Sequence, residues 1–435
     1  MSFKALTALL ERFSLANLAG MQFGGKRNLY EVYGYNKTPT YADYEARYKR
    51  QDVAKRIVNA PASATWRNPP ELSQETPDDF KTKWKALVEN HQVWAMIDRA
   101  DRLCGIGNYS VILLGFSKGG ALETPARPMA GNELIYLQPY SQKQVSITKL
   151  DADPKSERFG MPEIYTIRMN DPLTAMQGIQ AGVSNVQAVE TGKALEQKVH
   201  WTRIVHIAEE LTESNFLGTP RLQGVYNLLD DLQKVVGGSA ETYWLMSNRG
   251  MQMDIDKEME MDKGDAEALS KEIEEYQHDL RRFIRTKGVK MNPLGSQVAS
   301  PEASFRVIMA LISGTTGIPQ RVLTGSEAGQ LASDQDRANW SDRIKERRTT
   351  FAEPGILNPL AKALMHAGIL PETELDKFGW VWPADFQLTP LEQAQMMAQK
   401  ARAIINLSKH FQDGTPIISI EEARQIVDMP PVPLI

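Results

Sequence analysis

The sequence carries six histidines: His91, His200, His206, His278, His366 and His410. Imidazole both ligates transition metals and moves protons near neutral pH, so spacing decides what these six can do. None falls in an H-E-x-x-H arrangement, and no two stand at the helical interval that brings a pair to one ion. His200-Trp201-Thr202 has the form of one arm of a two-histidine phosphodiesterase, whose two H-x-Thr/Ser arms serve as acid and base. His206 is followed by Ile207-Ala208, so the second arm is missing. Both histidines read as structural groups on strands. The densest charge run is acidic: Asp254, Asp256, Glu258, Glu260, Asp262, Asp265 and Glu267. Clustered carboxylates can hold the two divalent ions of a nuclease. Such ligands come from several distant segments, however, and here Lys257 and Lys263 interleave, as on a solvated, self-repelling face. Just beyond it stand Arg281, Arg282, Arg285, Lys287 and Lys290. Acid followed by base on one small unit suits a contact between identical neighbours in a ring.

Gly105-Ile106-Gly107 lacks the third glycine of a dinucleotide fingerprint. It also leads from a helix into a strand, whereas a phosphate cradle needs the reverse order so that a helix N-terminus faces the anion. A turn is the better reading. There is no Walker A sequence and no G-x-S-x-G elbow. The single cysteine, Cys104, rules out an intrachain disulfide and a thiolate metal cluster and reads as a small buried apolar residue. The expectation is a protein without cofactor, metal or active site. A metal-dependent nuclease or phosphodiesterase, using the acidic run or His200, is the enzymatic alternative.

The elements that carry these residues follow from pattern. At 435 residues, with 42% apolar and 24% charged content, the chain suits two or three sub-structures of a folded protein. A net charge of −4 provides no global attraction for nucleic acid. No apolar run is long enough to span a bilayer, and Glu11 and Arg12 interrupt the apolar stretch Ala5 to Leu10, so the reading is soluble and unexported. A helix is expected over Tyr41 to Ala60, ended by Pro61, and another over 77–103. Tyr109 to Gly115 reads as a buried strand, and short β-prone runs follow within 134–210. Leu222, Val225, Leu229, Leu232 and Val236 recur at steps of three and four, the seam of an amphipathic helix that Gly237-Gly238 can bend. Met251 to Ile255 and Gly288 to Met291 read as strands flanking a helix, a β-α-β unit. Residues 302–313 are apolar on nearly all sides, as in a helix buried by its own core or by a neighbouring subunit. The stretch 318–335 reads as a loop and 336–350 as a polar helix. Thr389 to Glu392 and Ser419 to Glu422 are capping boxes that open two further helices.

In order along the chain, Tyr48 to Ala60 with Arg67-Asn68-Pro69-Pro70, then Asp98 to Leu114, then Val199 to Arg221, then Thr316 to Pro319 with Leu323 to Gly325, Gly329 to Asp336 and Pro354 to Leu360, resemble a phage portal family. The family often has glutamine where Arg347-Arg348 stand. The resemblance implies an α+β portal fold: a mixed wing over 1–218, stem helices over 219–249 and 301–315, and a β-α-β clip over 250–300. It further implies a tunnel loop over 316–335, a wing helix and strands over 336–387, and an α-helical crown over 388–435. The family forms homo-oligomeric rings, usually dodecamers, at one capsid vertex of the virion, assembled in the host cytoplasm. Double-stranded DNA passes through the channel, driven by a separate terminase motor. The implied partners are the terminase large subunit, a head-tail adaptor and the major capsid or scaffolding protein, with no membrane. On this reading Arg321, Ser326, Glu327, Gln330 and Ser333 line the channel. Asp254, Asp256, Glu258, Glu260, Arg281, Arg282, Arg285 and Lys287 make clip contacts to neighbours, terminase or adaptor. Another head-completion structural protein is the non-enzymatic alternative.

Overall fold

The computed structural model describes residues 28–169, 195–247, 251–255, 289–293, 300–325, 330–373, 378–383 and 397–402, with isolated helical positions between 264 and 274 and at 404. The chain divides into two units, Met1–Arg67 with Leu72–Gly379, and Asn68–Glu71 with Trp380–Ile435.

The larger unit opens with helices α1 (Leu29–Tyr33), α2 (Tyr41–Arg50) and α3 (Asp52–Trp66). Thr40 and Asp43 form a capping box that starts α2. The single helix expected over Tyr41 to Ala60 is broken at Gln51, which is extended, and α3 then runs through Pro61 to Trp66. Proline removes one helical N–H donor. Side chains bond the carbonyls of this turn: Thr65 Oγ1 donates to Pro61 O at 2.8 Å and Arg221 Nη1 to Val58 O at 2.6 Å.

The helix expected over 77–103 is two, α4 (Asp78–His91) and α5 (Val93–Ile106), separated by Gln92 with φ 49°. The break has a packing reason. Ten residues of unbroken helix would hold Trp84 and Trp94 about 15 Å apart along the axis. Here their rings meet edge-on at 6.0 Å, and Trp94 also stacks on Trp66 at 6.3 Å.

Strand β1 (Ser110–Phe116) is buried along its whole length, as its unbroken apolar run requires. It lies antiparallel between β2 (Leu134–Ser141) and β6 (Ile204–Ile207), with Leu113 opposite Gln138 and Ile204. A second antiparallel sheet orders β3 (Val145–Leu150), β4 (Pro162–Met169) and β5 (Leu195–His200). Tyr109, Val111 and Leu113 share one core with Tyr165, Ile167 and Val199 and bind the two sheets together.

Helix α6 (Tyr226–Ser247) runs through Gly237-Gly238 without interruption. Leu222, Val225, Leu229 and Leu232 are buried as the seam predicts, but Val236 is 51% exposed. Strands β7 (Met251–Ile255) and β8 (Val289–Pro293) pair antiparallel. Helix α7 (Glu302–Thr316) packs Met309 and Ile312 against the α6 seam together with Ile57 and Val58 of α3. It is not covered all round: Val307 and Leu311 are 60% and 52% exposed.

The expected loop over 316–335 instead holds a short helix, α8 (Gln320–Thr324), and the beginning of α9 (Gln330–Arg347). Pro319 and Gly325 punctuate α8, the glycine at φ 73°, and the polar residues after 329 continue the helix rather than break it. The chain then widens into a π-helix over Arg348–Leu357, containing Pro354, and tightens again as α10 (Asn358–His366). Both expected capping boxes, Thr389 to Glu392 and Ser419 to Glu422, lie outside the described residues. No helix among the described residues is long and apolar enough to cross a membrane.

Candidate functional site

The strongest concentration of charge in the described interior is a quartet of two acids and two arginines. Asp101 comes from α5, Glu209 from the segment after β6, Arg221 from the turn leading into α6, and Arg347 from the last turn of α9. Asp101 is inaccessible to solvent, and the other three side chains are 9–14% exposed. Arg347 clasps Asp101 with both terminal nitrogens, Nη2 to Oδ1 at 2.6 Å and Nη1 to Oδ2 at 3.0 Å. Its Nε donates to Glu209 Oε1 at 2.7 Å, and Nη1 also reaches Thr65 Oγ1 at 2.7 Å. Arg221 bridges the same two acids, Nη2 to Asp101 Oδ1 at 2.6 Å and Nε to Glu209 Oε2 at 2.8 Å. Trp66 Nε1 donates to Asp101 Oδ2 at 2.7 Å.

Two negative and two positive groups leave the cluster neutral, which is what makes its burial affordable. Burial alone would raise the Asp101 carboxyl, but Arg347 and then Arg221 outweigh it and hold the pKa at about 2. Glu209 is lowered against the same burial by Arg221 and Arg347, and both arginines are raised. Each Asp101 oxygen already accepts two hydrogen bonds. The site therefore offers no free carboxylate oxygen there for a metal or a substrate proton. Its capacity is mechanical: it ties α3, α5, the entry to α6 and the end of α9 to one point.

Gly105 makes that possible. A Cβ there would lie 2.7 Å from Arg221 Nη1 and 2.9 Å from its Cδ, so the glycine read from sequence as part of a turn is the gap through which Arg221 enters. Beside the quartet, Glu209, Arg221 and Arg347 line a cavity of about 560 Å³ with Trp340, Arg343 and Ile318.

The residues singled out from sequence stand elsewhere. Arg321, on α8, lies 3.6 Å from Asp336 of α9. Gln330 opens α9 and Ser333 lies in its first turn, so both are helical rather than in a loop. Ser326 and Glu327 lie outside the described residues. Asp254, on β7, stands opposite Lys290 on β8. Asp256, Glu258, Glu260, Arg281, Arg282, Arg285 and Lys287 lie outside the described residues.

Both histidines are hydrogen-bonded within the fold. Thr202 Oγ1 accepts from Ala126 N at 2.8 Å and lies 3.0 Å from His200 Nδ1, which ties the β5–β6 turn to the segment between β1 and β2. His206 donates through Nε2 to Phe216 O at 2.7 Å and lies 3.2 Å from the Tyr165 hydroxyl through Nδ1. Burial lowers its pKa to about 4 and holds the ring neutral.

Comparison with known proteins gives this arrangement a family. A family model described as phage portal protein matches residues 42–406. The chain belongs to the phage portal protein family. The portal fold is matched by the neck of a native GTA particle computed with C12 symmetry, 14% identical over 89% of this chain and 94% of that one, TM-score 0.54. The neck of an empty GTA particle computed with C6 symmetry is 13% identical over 91% and 96%, TM-score 0.56. The anti-CBASS protein Acb1 of Sphingomonas paeninsulae is 22% identical over 88% of this portal chain. The chain spans 60% of that relative's length. The family is a structural one, and within its α+β fold the ion quartet joins elements that the sequence keeps up to 246 residues apart.

Proposed function

We propose that this portal protein closes into a ring, a dodecamer, at one capsid vertex of the virion and is the channel through which double-stranded DNA is packaged and ejected. The observation that carries this reading is the family match over residues 42–406. The C12 symmetry of one neck structure supports a ring of twelve, and the C6 symmetry of the other is compatible with it. A ring also accounts for the apolar side chains left uncovered in a single chain. Val307 and Leu311 of α7 and Val236, Tyr243 and Trp244 of α6 are each more than half exposed, on helices assigned to the stem. Large exposed apolar side chains on neighbouring helices mark a surface that another protein covers.

A channel that passes DNA must not grip it, because cationic surfaces bind phosphate strongly and without regard to sequence. A chain of net charge −4 with small polar residues at the constriction meets that need. In this reading Arg321, Ser326, Glu327, Gln330 and Ser333 lie at the lumen. The unit over 250–300 is the clip that docks the terminase large subunit and then the head-tail adaptor, and the ring meets the major capsid or scaffolding protein. In this reading the protein has no catalytic role, and His200 and His206 are structural groups hydrogen-bonded within the fold. The test is substitution of the uncovered stem face. Val307→Glu with Leu311→Glu leaves the monomer's circular dichroism unchanged and prevents ring closure in sedimentation. Rings that form normally with both glutamates present contradict the assignment.

A further inference from the structure

A second cavity, of about 570 Å³, lies between the second sheet, β6 and the π-helix, within the size range of ligand pockets, roughly 300–1,000 Å³. Trp201, Tyr165, Ile204 and Pro359 form apolar walls. Two cations, Arg158 and Lys362, also line it, and among the described residues no Asp or Glu does. The Arg158 guanidinium lies 3.8 Å over the Trp201 ring, and one of its terminal nitrogens donates to Pro162 O at 3.0 Å. Burial, the largest influence on it, lowers its pKa. Asp151, a carboxylate that raises it in turn, is not among the lining residues and accepts from Ser156 Oγ at 2.6 Å. Among the described residues the cavity thus presents positive charge against aromatic walls with no carboxylate in its lining, and the complementary occupant is apolar and anionic.

The rim points to a protein as the source of that occupant. Leu211, which lines the mouth, is 50% exposed, and Phe159, next to Arg158, is 59% exposed. Exposed apolar side chains around a pocket walled by Trp, Tyr and Arg have the composition of a protein-binding hot spot. We propose that this cavity docks a segment of a partner protein that presents a large apolar side chain beside an Asp or Glu. The apolar side chain enters against Trp201, Tyr165 and Pro359. The carboxylate pairs with Arg158, with Lys362 adding to the field. This inference stands apart from the channel reading and survives or fails without it.

The test uses the full chain and two capped probes, acetyl-Gly-Glu-Phe-Gly-amide and its Gln counterpart, titrated by calorimetry at low salt. The Glu peptide binds at least about tenfold more tightly than the Gln peptide, the range of one partly desolvated ion pair. Arg158→Met reduces the Glu peptide to the level of the Gln peptide, and Trp201→Leu weakens both, with unfolding midpoints retained. Should Arg158→Met fail to fold, Lys362→Met, at an exposed position, reads the same effect as an at least threefold loss of preference. The proposal is overturned by equal affinity for the two peptides, by no binding of either up to about 10 mM, or by a preference that persists in the lysine and arginine variants. Phenylacetate binding as tightly as the Glu peptide makes the cavity a small-molecule pocket and also overturns it.

Discussion

Replacing Arg347 with methionine removes the strongest clasp of the quartet while keeping a side chain of similar reach. Four bonds go: two to Asp101, one to Glu209 and one to Thr65. The cluster changes from neutral to a net charge of −1 in a site where Asp101 has no solvent contact. Breaking a buried pair by removing one partner costs about 3–5 kcal/mol. The loss has a ceiling, because Asp101 can escape by taking up a proton. Relative to an ordinary carboxyl near pH 4, that uptake costs about 4 kcal/mol at pH 7 and about 1.5 kcal/mol at pH 5. Arg347→Met is therefore expected to lose about 3–4 kcal/mol at pH 7 by urea unfolding, and clearly less at pH 5. In the double variant Asp101→Asn with Arg347→Met neutrality returns, so its loss falls short of the sum of the single losses by about 2 kcal/mol or more. A loss below about 1 kcal/mol, a loss that does not shrink on acidification, or strict additivity would contradict a charge-coupled quartet.

Three further outcomes follow from the same geometry. Gly105→Ala places a methyl group 2.7–2.9 Å from the Arg221 guanidinium and side-chain stem and should cost about 2–4 kcal/mol in urea unfolding, with Asp101→Asn blunting the effect because the displaced arginine then has less to lose. His206 has its pKa depressed to about 4, so the neutral ring stabilises the fold above about pH 6.5 and that contribution is lost as pH falls through 4. His206→Gln should flatten the stability profile between those limits by about 3 kcal/mol at most. Cys104 is buried and its thiol is pushed up to about 12, so a maleimide reagent should label it only at the rate of unfolding, and fast labelling of the native protein contradicts its packing.

Much of the element order was legible because it rests on local pattern. The buried run Tyr109 to Gly115 and the seam Leu222 to Leu232 stand in the structure as their periodicity implies. The helix breaks at Gln51 and Gln92 were not legible, since nothing in those residues disfavours a helix. Tertiary packing decides them, as the Trp84–Trp94 contact shows. The helical start of α9 was missed for the opposite reason: small polar residues around Ser333 resemble a loop, yet they tolerate a helix. The quartet carries no local signature, because its members are brought together only by the fold. One signal was available. Asp101 lies among Ile97, Ala100 and Cys104 on the buried side of α5, and an acid on the apolar face of a helix demands a partner. Arg221 and Arg347 supply it. The channel residues were inferred from resemblance and the clip charges also from their acid-then-base order; among the described side chains of both sets, Arg321 has an ion-pair partner in Asp336.

Whether this portal chain works as a ring is decided by the mass and symmetry of the purified particle, read by native mass spectrometry with negative-stain microscopy. Closed rings near twelve copies of the 48.8 kDa chain, about 0.6 MDa, are expected. A particle that stays monomeric or dimeric at every concentration and salt, with the stem face of Val307 and Leu311 still open to solvent, would contradict that expectation.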